Sequence, residues 1–188
     1  LMRVDNVVET ALLLYDVHIP NHCQEHIEIA IDYALTKHPK VKRVILGGDL
    51  LDCHTISRWK KDPFGAMPLH EEIDLAVTWL ERLGKRFPGR QITLIKGNHE
   101  DRLETYLCNQ APEISRLKGL TIRDQLELSR LGIQWVDNLK IKAETGRFWS
   151  IGALHLLHGH ELGICPNVNP ARQFFLKVVS ENPKAVGW

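Results

Sequence analysis

A layered α/β domain is the fold class this sequence predicts, and three observations predict it. Short apolar runs alternate along the chain with longer amphipathic stretches, the pattern of strands laid against helices. The chain has 188 residues, 44% of them hydrophobic and 25% charged, enough to close one two- or three-layer core. Four of the apolar runs also open directly onto short clusters of Asp, Asn, His and Gly, at the strand ends where α/β sheets gather ligands.

Taken in order, Val7-Val8 and then Ala11 to Tyr15 predict a first buried strand. His26 to Leu35 carries Ile27, Ala30, Ile31 and Ala34 at helical spacing and stops at His38-Pro39. Val41 to Leu46 predicts a second strand, running into Gly47-Gly48. The longest helical stripe is Leu69 to Phe87, with Ile73, Ala76, Val77, Leu80 and Leu83 three or four apart before Pro88-Gly89. That stripe is core rather than a cofactor box. Gln91 to Ile95 predicts a third strand, then Gly97. Glu100 to Leu107 and Ile122 to Leu131 predict helices, and Trp149 to Leu157 a last strand before His158-Gly159. Pro170 to Trp188 reads as a helix followed by a loop. With no repeat or low-complexity linker, residues 1–188 are expected to form a single domain.

Composition narrows the function classes. A net charge of +1 forces neither a nucleic-acid partner nor its exclusion. Cys23, Cys53, Cys108 and Cys165 are scattered without a C-x-x-C pair, which argues against a disulfide framework or thiolate zinc site and for a reducing cytoplasm. No run approaches the roughly 18 apolar residues of a membrane span. Asp5 and Glu9 break the first apolar stretch, against a signal peptide, and Leu1 ahead of Met2 reads either as an added remnant or as a sign that the sequence does not begin at the native start.

The chemistry-bearing clusters are Asp16-Val17-His18, Gly48-Asp49-Leu50-Leu51-Asp52, Gly97-Asn98-His99-Glu100 and His158-Gly159-His160. Asp16 and His18 are two apart, so in extended chain they point to one side and can grip one metal. Gly48 and Gly97 allow a sharp turn at the strand end. Carboxylate, amide carbonyl and imidazole donors, without thiolate, suit Mn²⁺, Fe or Zn²⁺. A carboxylate bridging two such cations would hold them roughly 3.5–4 Å apart, the spacing of in-line phosphoryl chemistry.

In this order, D-x-H, G-D-x-x-D, G-N-H-E and H, the motifs resemble the signature of the calcineurin-like metallophosphoesterases. The resemblance spans most of the chain. It implies a four-layer α/β/β/α sandwich of two mixed β-sheets flanked by helices, and two divalent metal ions, Mn²⁺ foremost, with Fe, Zn²⁺ or Ni²⁺ as alternatives. It implies that Asp16 and His18 bind the first metal, that Asp49 bridges both, and that Asn98 and His158 bind the second. A hydroxide bridging the metals would attack the phosphorus of a phosphate mono- or diester, and His99 would protonate the leaving group as general acid. Glu100 would orient His99 or its loop, and Asp52 would fix the Asp49 loop from behind the ligands.

The sequence departs from the family pattern at its far end. The family ends on a further G-H-x-H, and no histidine follows His160 here. Truncation, replaced ligands and a degenerate site are the three explanations. Truncation is favoured because the upstream motifs are intact, and a sheet without its closing strands would expose edges and favour an oligomer. A non-catalytic scaffold binding a protein partner is the rival reading, and a nuclease acting on DNA or RNA competes within the enzyme class.

Other residues carry blander readings. Arg102 lies close enough to G-N-H-E to bind a substrate phosphate, or to pair with a neighbouring helix. Arg58, Trp59, Lys60 and Lys61 mix charge with an aromatic as single-strand binders do, although short basic runs are usually solvated loops. His22 and His26 read as a solvated helix start, His54 as a loop residue or substrate contact, and His155 as a packed core histidine.

Overall fold

The computed structural model describes residues 10–61, 66–145, 148–151 and 154–160. Val7-Val8, Pro170 to Trp188 and Cys165 lie outside these residues. The chain divides into two units, Leu1–His158 and Gly159–Trp188, and every element below belongs to the first.

Three parallel strands meet the expectations closely: β1 at Thr10–Leu14, β2 at Val41–Leu46 and β3 at Gln91–Ile95. The helices between them are α1, Gln24–Lys37, and α2, Leu69–Arg86. α3, Asp101–Gln110, follows the G-N-H-E loop, and Thr121 caps α4, Ile122–Gln125, by accepting from the Asp124 N–H at 3.3 Å. α4 is shorter than the predicted helix, which had extended to Leu131. A fourth strand, β4 at Gln134–Val136, and a helix, α5 at Asn138–Thr145, have no counterpart among the elements the sequence predicts. The predicted final strand is corrected to two short antiparallel strands, β5 at Ser150–Ile151 and β6 at Leu154–His155.

The main sheet is parallel throughout, in the order β1-β2-β3-β4. Alternation along each strand separates its two faces. Val44, Leu46, Ile92 and Leu94 join one buried cluster with Ile31 and Ala34 of α1 and Ile73, Ala76, Trp79, Leu80 and Leu83 of α2. Each large side chain buried there contributes about 1.5–3 kcal/mol. Ile45, Ile95 and Val136 turn the other way and pack with Leu156, Ile141, Trp149 and Ile151. Asn138 ties this second layer together: its Nδ2 donates to Leu156 O at 3.0 Å while its Oδ1 accepts from Trp149 N–H at 3.0 Å. His155 is exposed on β6, which corrects its reading as a core histidine. It falls in a hairpin whose outer side faces water instead of in a continuous buried strand. Among the described residues no helix is long and apolar enough to cross a membrane.

Candidate metal centre

β1 and β2 continue to pair beyond their last strand residues. Gly47 N–H donates to Leu14 O at 2.7 Å, Asp16 N–H to Gly48 O at 3.2 Å, His18 N–H to Asp49 O at 3.0 Å and Ile19 N–H to Leu50 O at 2.8 Å. Two loops therefore leave the sheet side by side, one carrying Asp16 and His18, the other Asp49 and Asp52. Asp16, His18 and Asp49 all have left-handed backbones, with φ of 53°, 54° and 52°. Such conformations cost a non-glycine residue about 1–3 kcal/mol and persist where the surroundings impose them, often at functional sites. The extended-chain argument for Asp16 and His18 is thereby corrected. They converge because both wind left-handed around Val17, which is buried.

Two glycines admit the neighbouring loops. A Cβ on Gly48, at φ +108°, would stand 2.7 Å from His158 Nδ1, and one on Gly97 would stand 2.1 Å from Asp49 Oδ1. Gly97 is thus needed for close approach more than for a turn.

The predicted ligands come together around Asp49, which is almost fully buried. Its Oδ2 lies 3.2 Å from His158 Nε2, 3.5 Å from His99 Nε2 and 4.0 Å from His18 Nε2. Asp16 Oδ1 is 3.7 Å from His18 Nε2, and Asn98 Oδ1 is 3.2 Å from His158 Nε2. Two groups of donors could each hold a cation: Asp16, Asp49 and His158, and His18, Asp52 and His99. Asp52, expected behind the ligands, belongs to the second of these candidate groups, with Oδ1 3.9 Å from His18 Nδ1 and 3.4 Å from His99 Nδ1. His22 and His26 belong to neither group, and His22 Nε2 instead meets Gln24 Oε1 at 3.0 Å.

The electrostatics centre on Asp49 and His158. Burial works against the charge on Asp49, but the bond from His158, the His99 N–H and the two imidazoles outweigh it and hold the carboxyl below its ordinary value. Burial likewise opposes protonation of His158, yet Asp49 and Asp16 raise it to about 9. A proton on His158 neutralises Asp49 where a cation would otherwise do so. His99 is kept below the ordinary imidazole value by burial, reinforced by Arg102 and His18, despite Asp49. Arg102 Nη2 donates to His99 Nε2 at 2.6 Å, so the neutral ring carries its proton on Nδ1. That Nδ1 is buried without a hydrogen-bond partner, a polar atom facing the His18–Asp52 group.

Two buried glutamates hold the loops. Glu100 is fully buried and accepts from Gly97 N–H at 2.8 Å and Asp49 N–H at 2.9 Å through Oε2, and from Leu51 N–H at 3.2 Å through Oε1. It therefore organises the Asp49 loop directly. Glu72 went unnoticed in the sequence, although it is in phase with Ala76, Trp79 and Leu83 on the buried stripe of α2. Its Oε1 accepts from Asp52 N–H at 2.8 Å and Cys53 N–H at 2.7 Å.

Burial pushes the Glu72 carboxyl up to about 7 from an ordinary 4.5, against those two bonds. The folded protein then binds more protons than the unfolded chain between these values, so its stability falls as pH rises from about 4.5 to 7 and is level above. The loss is about 3 kcal/mol at most. Glu72→Gln keeps an acceptor for both N–H groups and cannot ionise. Its urea midpoint is expected to exceed that of the wild type at pH 8 and to lose that advantage at pH 5. Identical pH slopes for the two proteins would refute the assignment.

Arg102 lies beside His99, and its Nη1 also donates to Asp52 O at 2.5 Å, so it braces the site. Lys61 is a loop clamp, donating to His54 O at 2.8 Å and Ser57 Oγ at 3.1 Å. Comparison with protein-family models, curated proteins and solved structures finds no match to this chain.

Proposed function

We propose that this protein is a calcineurin-like metallophosphoesterase, hydrolysing phosphate mono- or diesters with two divalent cations. The observation that carries the reading is one carboxylate oxygen, Asp49 Oδ2, within 4.0 Å of ring nitrogens from three separate loops. The donor set fits hard or borderline cations, since the nearby Cys53 is buried and burial pushes its thiol up, away from thiolate. Asp16, Asp49 and His158, with Asn98 beside them, would hold one ion, and His18 and Asp52 the other, with Asp49 between and His99 alongside as proton donor. Cations bound there would neutralise charge on the phosphoryl oxygens and lower the pKa of water at the site.

The protein's own groups supply the rest. Glu100 and Glu72 fix the Asp49–Asp52 loop through backbone N–H groups, so its donors need not reorganise on binding. Arg102 offers a guanidinium for phosphate oxygens and orients His99. His99 is both the candidate proton donor to the departing alkoxide and a neighbour of the second ligand group, two roles that substitution separates. The face of the sheet carrying Ile45, Ile95 and Val136 supports the four-layer arrangement, since a second sheet packed there would complete the sandwich.

Metal content and turnover test the reading together. Purified protein given Mn²⁺ is expected to hold two ions per chain and to hydrolyse p-nitrophenyl phosphate or its bis ester, with activity lost in EDTA. Absence of both binding and turnover with Mn²⁺, Zn²⁺, Fe²⁺ and Ni²⁺ would overturn it.

A further inference from the structure

Beside the candidate metal centre lies a cleft of about 530 Å³, within the roughly 300–1,000 Å³ of small-ligand sites. Asn98 and Arg102 line it, and both touch the centre, Asn98 through His158 and Arg102 through His99. Arg58, Trp59 and Tyr106 also line it. Trp59 is 61% exposed and Tyr106 43% exposed, two large aromatic side chains left wet around one cleft. The Arg58 guanidinium lies over the Trp59 ring, 5.0 Å from its centroid, which steadies the indole and brings a positive charge to the cleft. Asp101, the acidic residue of the lining, is already paired with Lys96 at 2.6 Å.

An alkyl phosphate would use the arginines and leave both rings in water. A ligand with a flat ring joined to a phosphate would use all four groups. We propose that this cleft takes a nucleotide unit, its base stacked on Trp59 and its phosphate directed by Arg58 and Arg102 toward the metal centre. The inference rests on the phosphoesterase reading for what happens to the phosphate, but the stacking site stands on its own residues. The same unit is offered by a free mononucleotide and by single-stranded DNA or RNA.

Calorimetric titration of the whole chain in EDTA tests binding apart from catalysis, with AMP, a ten-residue oligo-dT and ribose 5-phosphate as ligands. At least one of the two base-bearing ligands is expected to bind about tenfold or more tighter than ribose 5-phosphate, and Trp59→Ala to abolish that margin, as base–aromatic stacking predicts. Tighter binding of oligo-dT than of AMP would identify a strand as the source, and the reverse a free nucleotide. Equal affinity for the sugar phosphate, or an unchanged margin in Trp59→Ala, would overturn the inference. That failure is distinguishable from failure of the phosphoesterase reading, because p-nitrophenyl phosphate hydrolysis in Mn²⁺ would survive it. Trp59-dependent nucleotide binding without any metal-dependent hydrolysis would leave the stacking site and remove the enzyme.

Discussion

Asp49→Asn is expected to lose metal and activity together, whereas His99→Asn is expected to lose activity and keep its metal. The asymmetry follows from what each side chain touches. Asp49 Oδ2 faces three imidazoles and its Oδ1 accepts the His99 N–H at 2.9 Å, so an amide removes the central negative charge and sets N–H groups against donors. Its left-handed backbone suits asparagine, so the fold itself should survive. The fall in kcat/KM should exceed the about 10- to 100-fold typical of removing a group that merely supports a ligand. Loss of a general acid at His99 should lower kcat about 10²–10⁴-fold with two ions still bound. Metal analysis beside steady-state kinetics decides the matter. If His99→Asn also loses an ion, His99 is a ligand of the His18–Asp52 group and the proton donor lies elsewhere. Full activity in either variant would sink the site.

The parts of this fold legible in the sequence are those whose burial leaves a simple pattern. β2 and β3 are covered on both faces, so Val41–Leu46 and Gln91–Ile95 stand out as short apolar runs between turn residues. α2 announces itself by its stripe. β4 has only three residues, Gln134–Val136, too few for any period to show. Trp149 to Leu157 looks like one buried strand because the run is apolar, although Gly152 inside it is the kind of residue that marks a break. The same contrast holds in the site. Asp, Asn and His clustered at strand ends are visible as donors. Which donors stand together is not, because left-handed turns at Asp16, His18 and Asp49 set the pairing and bring Asp52 beside His18 and His99. Glu72 was legible in principle: a carboxylate in phase with an apolar stripe has to find donors where it is buried.

Glu100→Gln, an exchange that barely alters side-chain volume, is expected to cost about 3 kcal/mol of stability. A carboxylate meets three converging N–H donors with acceptors alone, whereas a carboxamide must turn its NH₂ toward one of them. With its oxygen serving Asp49 and Gly97, the nitrogen faces the Leu51 N–H, leaving a buried donor unsatisfied. Burial and the charge of Asp49 already hold the Glu100 carboxyl above its ordinary value, so the three N–H bonds are what make this position tenable for it. The urea midpoint should fall with no change in slope, which marks a loss of stability rather than of compactness. Because the same donors fix the Asp49 loop, metal affinity should weaken about 10- to 100-fold in the folded variant. Glu100→Asp should suffer as well, since its shorter side chain keeps the charge but cannot span from Gly97 to Leu51. Unaltered midpoints and unaltered metal affinity in both variants would mean that the loop is held by its backbone pairing with Asp16 and His18, and that Glu100 is dispensable to the site.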